Sequence, residues 1–340
     1  LWGTAGILIP MMRSLGYRVD KAEMMLMTVT GPVDAATAGP MLPHEHVLVD
    51  FVGAEQVGPQ RYDAEAAFAA ILPHLEQART RGVRLMAECT PMYLGRDPLL
   101  LRRLSEATGV GMLTNTGYYG ARDAHAYRES AEQLADRWTG EWTHGIGQTG
   151  IRPGFIKIGV NSTRPLSEMD RKLVRAAALT HRASGLAILS HTKDGPVFEE
   201  LDILRSEGVE PEAFIWAHAQ DERDPRCHVA AAELGAWVAF DGMAEDPARY
   251  VDVLGRMKAR GLLHRVLLSH DAGWFEPGNQ GRTYRGYDAI FDRLIPALRN
   301  QSFTPDEIDD LIIRNPARAF ACAPMPPQAR NAPHAPKEGP

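Results

Sequence analysis

Cysteine is scarce in this chain. There are three in 340 residues, Cys89, Cys227 and Cys322, and they lie far apart. That spacing excludes a disulfide framework and a C-x-x-C pair. It fits a reducing compartment, and a cytoplasmic location is the expectation. Positive charge is not in excess either. Lys and Arg number 37 against 43 Asp and Glu, a net charge of -6 with no basic block, which argues against a nucleic-acid partner. Long hydrophobic runs are missing. Residues 6–12 are too short and too broken to span a membrane, and no basic stretch precedes them as in a signal peptide. No membrane partner is expected. A Gly-rich phosphate turn after an early strand is also lacking, which removes the main support for an open dinucleotide-binding sheet.

What is present is ordinary globular composition, 44% hydrophobic and 24% charged. Residues 1–26 read as an upstream extension, with Met24, Met25 or Met27 a natural start. Residues 27–322 read as one domain, and the Pro- and Ala-rich stretch 323–340 as a loose tail. Within the domain, eight short apolar runs alternate with longer helical patterns. The first run leads into His44; the others cover 83–89, 110–115, 154–160, 186–191, 213–218, 236–241 and 265–271. Helical patterns cover 63–81, 97–108, 167–184, 247–260, 288–300 and 304–320. Several carry Asp or Ser caps and Gly stops. Repeated strand–helix units predict parallel pairing. Eight of them over about 250 residues predict an α/β fold of the closed (β/α)8 TIM-barrel type.

Candidate metal ligands end several of these runs: His44 and His46, His191, His218 and Asp271, with Lys157 inside the fourth. Alternate strand residues face one side, so an H-x-H pair aims two imidazoles at one point. Only a closed barrel brings the first strand beside the eighth. A single histidine at a strand end is more often a hydrogen-bonded structural residue; the ordered set argues for ligation. His270 and Asp271 are neighbours and face opposite sides of an ideal strand, so the pattern alone leaves open which one reaches a metal. Four imidazoles lack anionic charge, which favours Asp271 and leaves His270 to orient a neighbour. Glu45 reads as a supporting residue, because the spacing does not fit H-E-x-x-H on a helix. Lys157 lies between Ile156 and Ile158, where burial favours the neutral amine. Such an amine reacts with carbon dioxide to give an anionic carbamate able to bridge two metals. Glu88 is assigned no role. His74, His125, His144, His181, His228, His264 and His334 read as surface or structural residues.

Leu42-Pro43-His44-Glu45-His46, Gly154-Phe155-Ile156-Lys157, the His191 and His218 strand ends and Leu268-Ser269-His270-Asp271 together resemble the phosphotriesterase family of the amidohydrolase superfamily, from about Thr28 to Phe320. The resemblance takes in its phosphotriesterases, lactonases and phosphotriesterase homology proteins. It implies that His44, His46 and Asp271 hold a more buried metal and His191 and His218 a more exposed one. A carboxylated Lys157 and a hydroxide would bridge the two. It further implies attack by that hydroxide on an ester-like bond, with Asp271 taking the released proton and Asp221, three residues after His218, passing it outward. Zinc is the default, and Mn, Co or Fe suit the same ligands. A homodimer and a small-molecule substrate are expected.

Some family hydrolases carry His or Arg after the aspartate ending strand seven; here Gly242 follows Asp241. Thr116-Gly117-Tyr118-Tyr119 and Arg285-Gly286-Tyr287 look closer to the homology proteins, some of which replace the lysine by Glu. The expected substrate is therefore a lactone or carboxylic ester, with organophosphate triesters secondary. Tyr93, Tyr119, Trp274 and Phe275 follow strands and are candidates for the substrate pocket. Two other readings compete. One is a mononuclear deaminase or amidase on the same barrel, which would not need Lys157. The other is a catalytically inactive metal-binding barrel.

Overall fold

The computed structural model describes residues 24–119, 124–193, 195–243, 246–279, 281 and 283–323. A hairpin comes first, β1 (Met25–Thr28) against β2 (Gly31–Asp34). The barrel strands follow: β3 (Met41–Glu45), β4 (Leu85–Glu88), β5 (Gly111–Leu113) with its continuation β6 (Asn115–Thr116), β7 (Phe155–Gly159), β8 (Ile188–His191), β9 (Phe214–Ala217), β10 (Trp237–Phe240) and β11 (Val266–Leu268). Neighbours from β3 to β5 and from β6 to β11 pair in parallel. Closure comes from the ends. His44 O accepts from Asp271 N at 3.1 Å, Ala272 O accepts from His46 N at 2.9 Å, and Leu48 bridges in parallel to Phe275. The first and last strands are thus neighbours in a TIM barrel.

The strands are apolar on both faces, as expected where helices cover a parallel sheet. Ile156, Ile158, Ile188, Trp216, Val238 and Leu268 pack outward against helices, while Phe155, Leu189, Ile215, Ala239 and Leu267 fill the interior. Lys157 alternates with Ile156 and Ile158, so the same period turns it inward. Leu26 of the hairpin joins the interior cluster with Phe155 and Phe320, and Met25 bridges to Cys322. The hairpin therefore takes in residues assigned to the extension by sequence; the rest of that extension and the tail beyond Ala323 lie outside the described residues.

The expected helices form with their caps: Asp63 accepts from Glu65 N and Ala66 N, Asp97 from Leu99 N and Leu100 N, and Ser167 from Asp170 N. Four further helices, the short Ala124–Arg128 and then Ala131–His144, Val197–Ser206 and Pro225–Glu233, complete the ring. Three expectations need correction. The third strand is interrupted at Thr114. The eighth stops at Leu268, because Ser269 to Asp271 turn to bond β3 and Glu45. The last two helices are not uniform: π turns at Ile290–Leu294 and Asp310–Arg314 precede Pro296 and Pro316. Proline lacks the N–H for an i−4 bond and its ring crowds that carbonyl, which widens the turn before it.

One buried contact ties β8 to its helix. Ser190 Oγ lies 2.6 Å from Glu200 Oε2, Thr192 Oγ1 lies 2.5 Å from Glu200 Oε1, and the two hydroxyls are 3.0 Å apart. Burial pushes the Glu200 carboxyl up to about 8 from an ordinary value of 4.5, against the opposing pull of those two hydroxyls. The folded chain therefore keeps a proton that the unfolded chain releases. This stabilisation is complete below the ordinary value and is lost as pH rises through about 8. Thermal unfolding measured between about pH 6 and about pH 9 should show Tm falling more steeply in the wild type than in Glu200→Gln, whose amide does not titrate. Equal slopes would contradict this assignment.

Candidate metal centre

The ends of β3, β8 and β9, the middle of β7 and the segment after β11 converge on one buried cluster. His44 Nε2 lies 3.8 Å and His46 Nε2 3.0 Å from Asp271 Oδ1, and the three residues offer ligand atoms within 4.8 Å of one another. His218 Nε2 lies 2.6 Å from His191 Nδ1. The His44 and His218 rings are 5.0 Å apart, which joins the two groups. Lys157 sits among them. It is fully buried, its Nζ has no hydrogen-bond partner among the described residues, and its charge acts on both His44 and His191. The structure thus brings together all six side chains singled out as ligands.

Three of the four imidazoles are aimed by a contact behind them. Asp241 accepts from His44 Nδ1 at 2.8 Å and from His218 Nδ1 at 2.8 Å, and also from His218 N and Gln220 Nε2. A carboxylate has only acceptors, so both rings carry their proton on Nδ1 and present Nε2 to the cluster. His44, His218 and Asp241 also lie close enough to hold an ion. Asp241, however, spends its oxygens on those N–H groups and is a positioning residue. Thr90 Oγ1 holds His46 Nδ1 at 2.8 Å, and Glu88 holds Val47 N and Thr90 N beside it. Glu45 accepts from Ser269 Oγ, His270 N and Ala272 N, and holds His270 Nδ1 at 2.7 Å. His270 Nε2 accepts from Ile290 N, so His270 faces the outer layer and Asp271 faces the histidines.

The electrostatics suit ligation. Burial and nearby Lys157 push His44 down to about 4. Burial and His218 push His191 far below its ordinary range. Burial lowers the Lys157 amine. Burial opposes ionisation of Asp271, but the hydrogen bond from His46 and the charges of its imidazole neighbours hold it at about 2. Asp241 is likewise held well below its ordinary value by His218 and His44, against burial. At neutral pH, His44 and His191 are therefore neutral donors and Asp271 an anionic one, the forms a metal requires.

The backbone is bent to make this possible. His218 (φ 61°), Asp271 (φ 50°) and Trp274 (φ 76°) adopt the left-handed conformation, which non-glycine residues enter at a cost. Two glycines permit close approach: a Cβ on Gly273 would lie 1.8 Å from His46 O, and one on Gly117 would lie 2.3 Å from Lys157 O.

Tyr119 meets the His191 ring edge-on at 4.5 Å, and Trp274 meets His46 at 5.4 Å. Tyr93 packs on Tyr118 at 5.1 Å, and Phe275 pairs its backbone with Val47 and Val49. Asp221 follows His218 in a short 3-10 turn, its carboxylate 3.7 Å from Lys193 Nζ; among the described residues it makes no hydrogen bond to Asp271. Arg285 lays its guanidinium 4.8 Å from the Trp274 ring and donates to Asp271 O at 2.5 Å. Sequence reasoning passed over the contributions of Asp241, Thr90, Gln220 and Arg285. For Asp241 a signal existed, since it ends a strand as the ligands do.

The phosphotriesterase family model matches residues 24–320. The chain is 29% identical over 291 residues to the phosphotriesterase homology protein of Escherichia coli (strain K12), an alignment covering 83% of this chain and 98% of that one. A mutant of organophosphorus hydrolase from Deinococcus radiodurans matches with a TM-score of 0.80 at 31% identity, covering 88% of this chain and 98% of the other. A structure from the engineering of organophosphate hydrolysis on a weak promiscuous lactonase template gives 0.80 and 31%, covering 87% and 100%. The family match runs from the β1 hairpin to the last helix and takes in every residue of the cluster, and the chain belongs to the phosphotriesterase family.

Proposed function

We propose that this chain is a binuclear metal-dependent hydrolase of an ester-like bond, acting on a lactone or carboxylic ester and secondarily on organophosphate triesters. Lys157 carries the reading. Among the described residues its buried amine has no hydrogen-bond partner, which is costly, and it stands among four imidazoles and a carboxylate. Its neutral form attacks the carbon of carbon dioxide. An N–C bond forms, one C=O electron pair moves onto oxygen, and an N–H proton leaves to water. The product is an anion with two oxygen donors where a cation would repel metal.

His44, His46 and Asp271 would hold one divalent ion, His191 and His218 the other, and the Lys157 carbamate would serve both. Zinc suits the set, as do Mn, Co and Fe. When bound, the ions supply Lewis acidity toward a substrate oxygen and acidify water. Asp271, ionised at neutral pH, accepts the proton released. Asp221 carries it outward through water, from its place beside Lys193. Tyr119 and Trp274, edge-on to His191 and His46, would form apolar walls beside the two ions. The ester preference is supported by Gly242, which leaves no cationic side chain after Asp241, and by the lactonase template among the similar structures.

Metal analysis of the purified protein should find about two divalent ions per chain. Lys157→Ala should lose metal and lower kcat/KM on a lactone and ester panel by more than about 100-fold, since direct ligands matter more than their supports. Bicarbonate should speed reconstitution of the metal-free wild type and leave Lys157→Ala unaffected. A single tightly held ion, or full turnover in Lys157→Ala, would sink the binuclear reading. Asp241→Asn has one acceptor oxygen for two imidazole N–H groups. It should weaken binding of both ions by about 10- to 100-fold, read by chelator competition; unchanged affinity would refute its positioning role.

A further inference from the structure

We infer that Glu200 is a positioning residue for His191. The inference rests on the reading that His191 and His218 hold a metal. Residues alternate across a strand, so His191 points into the barrel mouth while Ser190 and Thr192 point outward to the helix Val197–Ser206. Glu200 sits on that helix, completely buried. Its two oxygens meet the two hydroxyls that flank His191, Oε2 at 2.6 Å from Ser190 and Oε1 at 2.5 Å from Thr192. Trp216 Nε1 donates to Thr192 O at 2.9 Å and pins the same residue from β9. Holding both neighbours fixes the direction of the residue between them. That direction brings His191 Nδ1 to 2.6 Å from His218 Nε2.

A structural role alone would be met more cheaply by an apolar residue, because burying a carboxyl costs free energy unless its partners are in place. The arrangement also recurs. Glu45 takes the N–H groups of His270 and Ala272, the residues on either side of Asp271. Each half of the centre therefore has one ligand held by a buried glutamate through both of its chain neighbours. Glu200 serves the half built from His191 and His218.

The test uses the full chain loaded with cobalt, in the wild type, Glu200→Leu and Glu200→Gln, by chelator competition and visible absorption. Glu200→Leu should weaken one of the two ions by about 10- to 100-fold and change its cobalt spectrum, with the other ion unchanged. Glu200→Gln keeps polar contacts to both hydroxyls and should stay near the wild type. A folded Glu200→Leu that binds both ions normally, or loosens both equally, overturns the inference. If Glu200→Leu does not fold, Ser190→Ala and Thr192→Val must each show the same one-site weakening, and normal binding in both overturns it. A wild type that holds one ion defeats the binuclear reading instead. Glu200 is then judged in the metal-free protein by backbone hydrogen exchange. Faster exchange at residues 190–192 in Glu200→Leu, restored in Glu200→Gln, supports it, and unchanged exchange overturns it.

Discussion

One carboxylate organises this molecule. Asp241, at the end of β10, accepts the Nδ1 protons of His44 from β3 and His218 from β9. It thereby joins strands far apart in sequence and sets both imidazoles with Nε2 toward the interior. The bond is possible only because the barrel closes, and closure itself depends on β3 meeting the segment after β11. Glu45 secures that seam from the outer side, through Ser269, His270 and Ala272. Fold and site are held by the same few buried acids.

Those acids are affordable because each is fully satisfied. A buried charge lacking partners would shift its pKa or destabilise the chain. Asp241 and Asp271 stay ionised against burial because imidazoles surround them. Glu200 meets two hydroxyls and no cation, and holds its proton instead. Lys157 is the exception: it is buried from solvent, and its Nζ has no hydrogen-bond partner among the described residues. An unsatisfied amine among four imidazoles and two ionised acids is what the proposed carbamate would resolve. The left-handed residues His218, Asp271 and Trp274 fit the same pattern, since strained backbone survives where the surroundings dictate it.

Much of this was legible in the residues. Apolar runs alternating with capped helices define the barrel, and period two places Lys157 inward beside His191 and His218. The choice of Asp271 over His270 followed from charge, and the structure turns His270 to Glu45 and Ile290. What could not be read depends on distant partners. Asp241 looks like any strand-end acid until the barrel places His44 and His218 against it. Glu200 looks like a solvated helix residue until Ser190 and Thr192 face it. The π turns arise from Pro296 and Pro316 inside otherwise regular helical patterns, and a helical period does not reveal a local change of pitch. The β1 hairpin was hidden because Leu26 gains its burial from Phe155 and Phe320, far along the chain.

Crystallographic anomalous scattering from the purified protein tests the central claim most directly. The account predicts two peaks, one among His44, His46 and Asp271 and one between His191 and His218, with continuous density running from Lys157 Nζ to both. A single peak, or a bare lysine ammonium at Lys157, would contradict it.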